Sequence, residues 1–339
     1  MTIAPLRYRP WGLLPWLLEH LPPVQWSLIG SLGTEERCLS AWQFLTQMKR
    51  LERTYLFGIE DPISRYKTET DNRLALRTAV FNAGGGVATD VHPKPLFART
   101  GEIISIAEEF VISGARHIVL DITSLPKRFF FPLVKVLMRS HNVESLLATY
   151  TMPIRYCNDP LAEDFLEWRA LPLFSGSETT DKPEMLIVNV GYLAMGLPDQ
   201  IEHGSPRMEV KLLFPFPNSP ASYQKTWQFV RTIEHNLRGA TTEMKHVHAM
   251  DVSDAFDDIV TLTDRGKRRA LFAPYGPKPI SLAMCIYAIL TDSPVFYTQP
   301  RTYHPDYSVG VMETAGLPTI QAYCLRINGK DCYSLADST

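Results

Sequence analysis

Short apolar runs, each followed by a stretch of helical periodicity, recur along almost the whole of this chain. Trp26-Ser27-Leu28-Ile29-Gly30-Ser31 reads as a strand and 35–50 as the helix after it. A second strand at 54–59 precedes a helix at 65–82, closed by Gly84-Gly85-Gly86, where glycines tolerate the left-handed cap conformation. A short strand at 87–91 and a helix at 102–113 follow. His117-Ile118-Val119-Leu120-Asp121-Ile122 is continuously apolar up to its aspartate, as a parallel strand buried on both faces is. A helix at 127–140 and a strand at 145–156 complete the first series. Strands that alternate with helices of this length imply a parallel sheet with right-handed crossovers.

Alternation lapses over 159–183, where polar turn residues gather, and a lone strand is expected at 185–190. It then resumes, with strands at 210–214, 246–250, 269–273 and 295–297 and helices at 222–237, 253–262 and 279–290. The tail at 320–335 reads as a hairpin turning at Asn328-Gly329. The expected fold is α/β: two consecutive Rossmann-like halves with mostly parallel sheets and a C-terminal β-hairpin. The expected partition is 1–165 for the first half with an N-terminal helix, 166–209 for a connecting segment with one strand, and 210–339 for the second half.

A length of 339 residues suits about two domains. The net charge of −2 provides no global field to attract nucleic acid. The five cysteines form no CxxC pair, which argues against a disulfide framework or a zinc site. His246, His248 and His304 match no metal-ligand spacing, so no metal is expected. No apolar run reaches the roughly 18 residues that a membrane span needs. The apolar start at 11–21 is interrupted by Pro15 and carries Glu19 and His20, so it reads as a short amphipathic helix and not as a signal peptide. The cytoplasm is the expected compartment, with no membrane partner.

Chemistry is expected at the strand-to-helix turns, because ligands of open parallel sheets bind outside the carboxyl ends of the strands. In Asp121-Ile122-Thr123-Ser124-Leu125-Pro126-Lys127 a buried strand ends in an aspartate and two hydroxyls just before a helix begins. A helix N-terminus offers N–H groups and partial positive charge to an anion, and Lys127 adds a full charge. The alternative role for Thr123 or Ser124 is a helix cap. The second half repeats the pattern in Pro274-Tyr275-Gly276-Pro277-Lys278, so pseudo-symmetric halves would point Lys127 and Lys278 into one cleft. Thr34 lies in the turn after the first strand, which lacks the three-glycine dinucleotide fingerprint; NAD and FAD are not expected. Pro215, Asn218 and Ser219 occupy the first turn of the second half. Arg301 suits a phosphate, and Tyr303 suits stacking on a base. The expected ligand-binding set is Thr34, Asp121, Thr123, Ser124, Lys127, Tyr275, Lys278, Arg301 and Tyr303.

Asp121, Thr123 and Lys127 resemble the signature of CRISPR-associated Rossmann-fold (CARF-like) sensor domains, which often carry Asp, a hydrophobic residue, Thr, two glycines, Thr and Lys at this turn. Here Ser124-Leu125-Pro126 replaces the Gly-Gly-Thr. The resemblance covers about ten residues. It implies sensing or processing of a nucleotide ligand in prokaryotic antiviral defence, with a protein partner in the defence system as the output. Two other readings stay open. One is an enzyme of nucleoside or nucleotide chemistry, glycosidase or transferase, using Glu35, Asp121 or Asp251. The other is a non-catalytic structural subunit of a defence complex. No GxSxG, GxxxxGK[ST] or HExxH signature appears.

Limited proteolysis is expected to cut first around 175–181, a polar stretch by composition. First cleavage within 103–137 would contradict the partition.

Overall fold

A computed structural model describes residues 9–60, 62, 64–176, 182–197, 208–217, 220–237 and 240–335. Asn218, Ser219 and most of the stretch 175–181 lie outside the described residues. In chain order, β1 (Trp11–Leu13) and α1 (Leu14–His20) lead to β2 (Trp26–Leu32), α2 (Ser40–Gln47) and β3 (Leu51–Glu60). Next come α3 (Lys67–Ala83), β4 (Val91–Pro95), α4 (Thr100–Ile112), β5 (His117–Asp121), α5 (Lys127–Arg139), β6 (Ser145–Thr151) and β7 (Arg155–Tyr156). They are followed by β8 (Ala162–Ala170), β9 (Met185–Asn189), β10 (Glu209–Phe216), α6 (Pro220–Glu234), β11 (Thr242–His248), α7 (Val252–Leu262), β12 (Ala270–Pro274) and α8 (Lys278–Thr291). The last strands are β13 (Phe296–Tyr303), β14 (Ser308–Val309), β15 (Glu313–Thr314), β16 (Leu317–Pro318), β17 (Ile320–Ile327) and β18 (Lys330–Asp331).

The chain divides into two compact units. The larger comprises Arg9–Asp164 and Pro300–Cys332; the described part of the smaller is Phe165–Gln299 with residues 333–335. The larger unit's sheet runs β1-β17-β6-β5-β2-β3-β4, with β18 paired to β17. Strands β2 to β6 are mutually parallel, and β17 lies antiparallel on β6. Counting β2 as the first parallel strand, the order is third, second, first, fourth, fifth, which is that of a Rossmann sheet. The runs that read as buried strands are buried, and every residue of β2 and β6 is buried. Leu14, Leu17, Trp42, Phe44 and Leu56 pack in one core cluster from α1, α2 and β3. Phe57 of β3 meets Phe129 of α5 edge to face at 5.4 Å.

The smaller unit carries a four-stranded, wholly parallel sheet in the order β11-β10-β9-β12. Its order is again third, second, first, fourth. Both units are therefore Rossmann-like. Strands β8 and β13 pair with each other, and the chain changes unit within each of them.

Several boundaries differ from expectation for physical reasons. The strand expected at 87–91 forms at Val91–Pro95, where Pro93 and Pro95 suit an edge strand. The helix expected at 35–50 opens as a single 3-10 turn, Glu36–Leu39, before α2. The expected connector at 166–209 supplies β9, a central strand of the second sheet. The C-terminal hairpin does turn at Asn328-Gly329, both with positive φ (49° and 75°). It joins the first half and not the second, because β6 offers an open edge and β17 brings buried Ile320, Ala322, Tyr323 and Cys324 to it. No described helix is long and apolar enough to cross a membrane.

Because β17 completes the larger unit from across the chain, a fragment of residues 1–165 should not fold on its own. Losing β17 uncovers a sheet edge and forfeits several buried apolar side chains, each contributing about 1.5–3 kcal/mol. Thermal melts followed by near-ultraviolet circular dichroism should show no cooperative transition for the fragment. A fragment that melts cooperatively at the full-length temperature would contradict this topology.

Candidate functional site

The chain leaves β2 toward β3 and leaves β5 toward β6, so the two strands' connections part at their carboxyl ends. This is the switch point of the larger unit, where an open α/β sheet forms its crevice. The β2–β5 ladder runs through Ser27↔Ile118, Leu28↔Val119 and Ile29↔Leu120. Beyond it the two turns stay close. A Cβ built on Gly33 would lie 3.5 Å from the Ser124 Cβ, and the Ser31 and Ser124 hydroxyls are 2.7 Å apart. Thr34 follows Gly33 in the same turn and is half-buried, as is Ser124.

Asp121 and Thr123 serve this turn from beneath. Both are buried, at 2% and 0% exposure. One Asp121 carboxylate oxygen accepts from the Thr123 N–H (3.1 Å), the Thr123 hydroxyl and the Thr149 hydroxyl (3.2 Å). The Thr123 hydroxyl in turn accepts from the Thr151 N–H at 2.9 Å. These bonds stitch the β5 turn to β6. The two residues expected to touch ligand thus shape the site through buried bonds.

The cations lie at the start of α5. Pro126 is its N-cap and Lys127 its first residue. Lys127 is only 9% exposed, and burial lowers its pKa from 10.5 to about 7. Arg128, a residue absent from the sequence-derived set, is half-buried beside it. It donates to the Ala98 carbonyl (2.8 Å) and stands 5.3 Å from the Phe97 ring centre. Its Nε is buried without a hydrogen-bond partner among the described residues. Burial lowers the Arg128 pKa, and the nearby Tyr303 opposes that shift. Tyr303, at the end of β13, is 6.1 Å from Tyr307 between ring centres. The returning segment of the larger unit thus brings Tyr303 to the α5 end of the crevice. The signal for Arg128 was its place directly after Pro126-Lys127 in the first helical turn.

A buried arginine fastens this arrangement. Arg37 donates to Glu35 through Nε (3.0 Å) and Nη2 (2.8 Å), to the Ser308 hydroxyl (2.9 Å) and to the Thr151 carbonyl (2.8 Å). Ser308 also donates to Glu35. Burial by itself would lower the Arg37 pKa. Glu35, with Tyr150 and Tyr156, outweighs it, and the guanidinium sits above its ordinary value. One side chain therefore ties the β2 turn, the end of β6 and the returning segment together.

The other expected residues fall elsewhere. Arg301 is exposed and faces Asp164 at 3.8 Å. Tyr275 and Lys278 belong to the smaller unit. The Tyr275 hydroxyl is 2.9 Å from that of Thr298, and burial raises its pKa. Lys278 is half-exposed at the first position of α8. The smaller unit's switch point, between β9 and β12, is closed by its own backbone. A Cβ on Gly191 would fall 2.3 Å from the Tyr275 carbonyl oxygen, and one on Gly276 2.2 Å from Asn189 Oδ1. Asn189 itself donates to the Pro277 carbonyl (2.9 Å) and Ser281 (3.0 Å).

Cys157, Asp159 and His304 place ligand-type atoms within 4.8 Å of one another. Yet His304 Nδ1 accepts the Asp306 N–H at 3.0 Å, which leaves the proton of the neutral ring on Nε2. A metal-bound histidine donates from its second nitrogen, so this trio fits a hydrogen-bonded cluster better than a metal centre. Burial raises the Cys38 and Cys332 thiols to about 12, which makes both poor nucleophiles at neutral pH.

No protein-family model matches the chain, and no curated protein matches it. Among solved structures, it is similar to a functionally unknown protein from Pseudomonas aeruginosa PAO1, with 11% identity and a TM-score of 0.24 over 82% of this chain and 93% of that one. It is also similar to a ketoreductase domain from the bacillaene assembly line (13% identity, TM-score 0.22, 75% of this chain and 59% of that one). An N-terminal ketoreductase from the macrolactin assembly line gives 9% identity and a TM-score of 0.22 over 74% of this chain and 60% of that one. Likeness at this level transfers no function.

Thr123→Ala should lower stability by about 1–3 kcal/mol, because it strips a buried acceptor from the Thr151 N–H and a donor from Asp121. Ser124→Ala, at a half-buried hydroxyl, should cost less than about 1.5 kcal/mol. Urea unfolding of both variants decides it, and equal stabilities would show that the buried turn is not what Thr123 supports.

Proposed function

We propose that the larger unit binds a phosphorylated nucleotide at the carboxyl ends of β2 and β5, with the phosphate at the start of α5. The protein is then a nucleotide-sensing or nucleotide-processing double Rossmann-like protein, of the CARF-like kind found in prokaryotic antiviral defence. The observation that carries this reading is the juxtaposition, at one switch point, of paired hydroxyls with Lys127 and Arg128. Ser31 and Ser124 meet at 2.7 Å there, and Arg128 keeps a buried Nε without a hydrogen-bond partner among the described residues. The helix N-terminus adds N–H groups and partial positive charge for an anion. Tyr303 supplies an aromatic ring near Arg128 at the same helix end, suited to a base.

Sensing accounts for the carboxylates better than turnover does. Asp121 is spent on Thr123 and Thr149, and Glu35 on Arg37 and Ser308. Asp251 caps α7 by accepting the Asp254 N–H at 2.9 Å. The three acids named above for a glycosidase or transferase are thus held in structural bonds. A protein partner in the defence system would carry the output.

Lys127 gives the test a pH signature. Its ammonium loses its proton above about pH 7 in the folded, unliganded protein. An anion at the site favours the charged form, so binding should take up a proton above pH 7. Affinity should therefore fall as pH rises from about 6 to 9. Calorimetric titration of AMP in buffers of different ionisation enthalpy reads both effects. Lys127→Ala should weaken binding at pH 6.5 by about tenfold or more and abolish the proton uptake. Unchanged affinity in Lys127→Ala would remove the phosphate from this turn.

A further inference from the structure

A strand at the edge of a sheet carries a row of backbone groups that can pair with another chain. Three of the four edges of the two Rossmann-like sheets are guarded against this. In the larger unit β4 carries Pro93 and Pro95, and β1 is only three residues long. In the smaller unit the outer side of β12 meets the chain just before β13, through the Phe272↔Val295 bridge and the Phe272 N–H, which donates to the Pro294 carbonyl at 3.0 Å. The fourth edge is β11. Its seven residues include no proline and pair with β10 in unbroken register, from Val210↔Thr242 to Phe216↔His248. Among the described residues no strand pairs with its other side.

Two bonds fix which way its backbone groups point. The Thr241 carbonyl accepts the Val210 N–H at 2.9 Å, and the Ala249 N–H donates to the Phe216 carbonyl at 2.8 Å. Successive residues of a strand bond to alternate sides. The odd-numbered residues of β11 therefore bond β10, and Thr242, Met244 and His246 turn their N–H and C=O groups outward. None of these three is buried. Side chains alternate as well. Phe214, the register partner of His246, packs against Trp227 of α6 at 5.2 Å between ring centres, so Thr242, Met244 and His246 share the α6 face. Glu243 and Lys245 share the opposite face, where Lys245 pairs with Asp258 of α7. On the α6 face Phe216 is 53% exposed and meets the His246 ring edge-on, which leaves apolar surface beside the open edge.

The strand's own charges select an occupant. Glu243 and Lys245 are opposite in sign and two residues apart on one face. An antiparallel copy of β11 centred on Met244 sets Glu243 of each strand opposite Lys245 of the other. It also pairs Met244 with Met244 and Thr242 with His246, and these are the residues whose backbone groups point outward, so the new ladder is hydrogen-bonded there. The Glu243–Lys245 pairs then fall at the positions between, where facing side chains come closest. A centre at Glu243 or at Lys245 would instead set like charges face to face. Within one copy Glu243 also lies 2.8 Å from Lys211, so the new pairs extend an existing row of alternating charge. We propose that β11 is the edge at which a second copy of this chain docks, antiparallel and centred on Met244, joining the smaller units' sheets of the two copies into one. The inference is independent of the nucleotide-binding reading above.

The test is sedimentation equilibrium of the full-length protein, with melting temperatures measured on the same samples. Wild-type protein should dimerise reversibly. Glu243→Lys leaves only lysines at the two facing positions, and Lys245→Glu leaves only glutamates. Each variant alone should self-associate about tenfold or more weakly, because repulsive pairs replace attractive ones at both symmetry-related positions. An equal mixture of the two variants should recover the dimer as a mixed species, since each strand then meets the opposite charge; a general loss of fold would not give that recovery. Met244→Pro removes an outward N–H and no bond to β10, so it should give a monomer that melts close to wild type. Wild-type protein that stays monomeric over its whole soluble range would overturn the proposal. So would a dimer that persists in all three variants, or charge variants that fail to recover it on mixing.

Discussion

Everything at the candidate site depends on where the larger unit's sheet reverses its strand order. Crossovers in such sheets are right-handed, so the connections after β2 and β5 must lie on opposite faces. The two strands share a ladder and then part, and their turns are left side by side with nothing threading between them. At Gly33 the two turns come to ordinary packing distance: a Cβ there would lie 3.5 Å from the Ser124 Cβ. The crevice is a consequence of topology first and of side-chain choice second.

The units satisfy the same topology differently. In the larger unit the turns meet through two serine hydroxyls, that of buried Ser31 and that of half-buried Ser124. In the smaller unit they meet through Asn189 and two glycines whose missing side chains let backbone touch backbone. The order of the first four strands is the same, but one switch point joins its turns by a hydroxyl pair and the other by close backbone contact and the Asn189 amide donor. The larger unit in addition holds its turn with a fully buried Arg37. Such a side chain is tolerated only with its hydrogen bonds met, and here they reach three separate segments. A rigid turn loses less freedom when a ligand binds, which is the physical value of preorganisation.

Local patterns in the sequence were enough to find the elements that frame the site. The apolar run 117–122, the Pro-Lys helix starts and the Asn328-Gly329 turn each carry their signal within a few residues, and the structure has α5 begin at Lys127 and α8 at Lys278. What was not legible depends on partners far along the chain. Asp121 and Thr123 look like ligand groups until Thr149 and Thr151 of the next strand take up their hydrogen bonds. Arg128 looks like an ordinary surface charge until Phe97 and Tyr303 flank it. Strand β8 has the composition of a linker, and its pairing with β13 is what makes it a strand. The place of β17 was set by the open edge of β6, which no local pattern in 320–335 announces.

The central claim is that an anionic nucleotide sits at the larger unit's switch point. Hydrogen–deuterium exchange of the full-length protein with and without saturating AMP tests it most directly. The account predicts slowed exchange in the turn 31–37 and in 122–130, the β5 turn with the first residues of α5. Binding that leaves both segments unchanged, with protection confined to other parts of the chain, would contradict it.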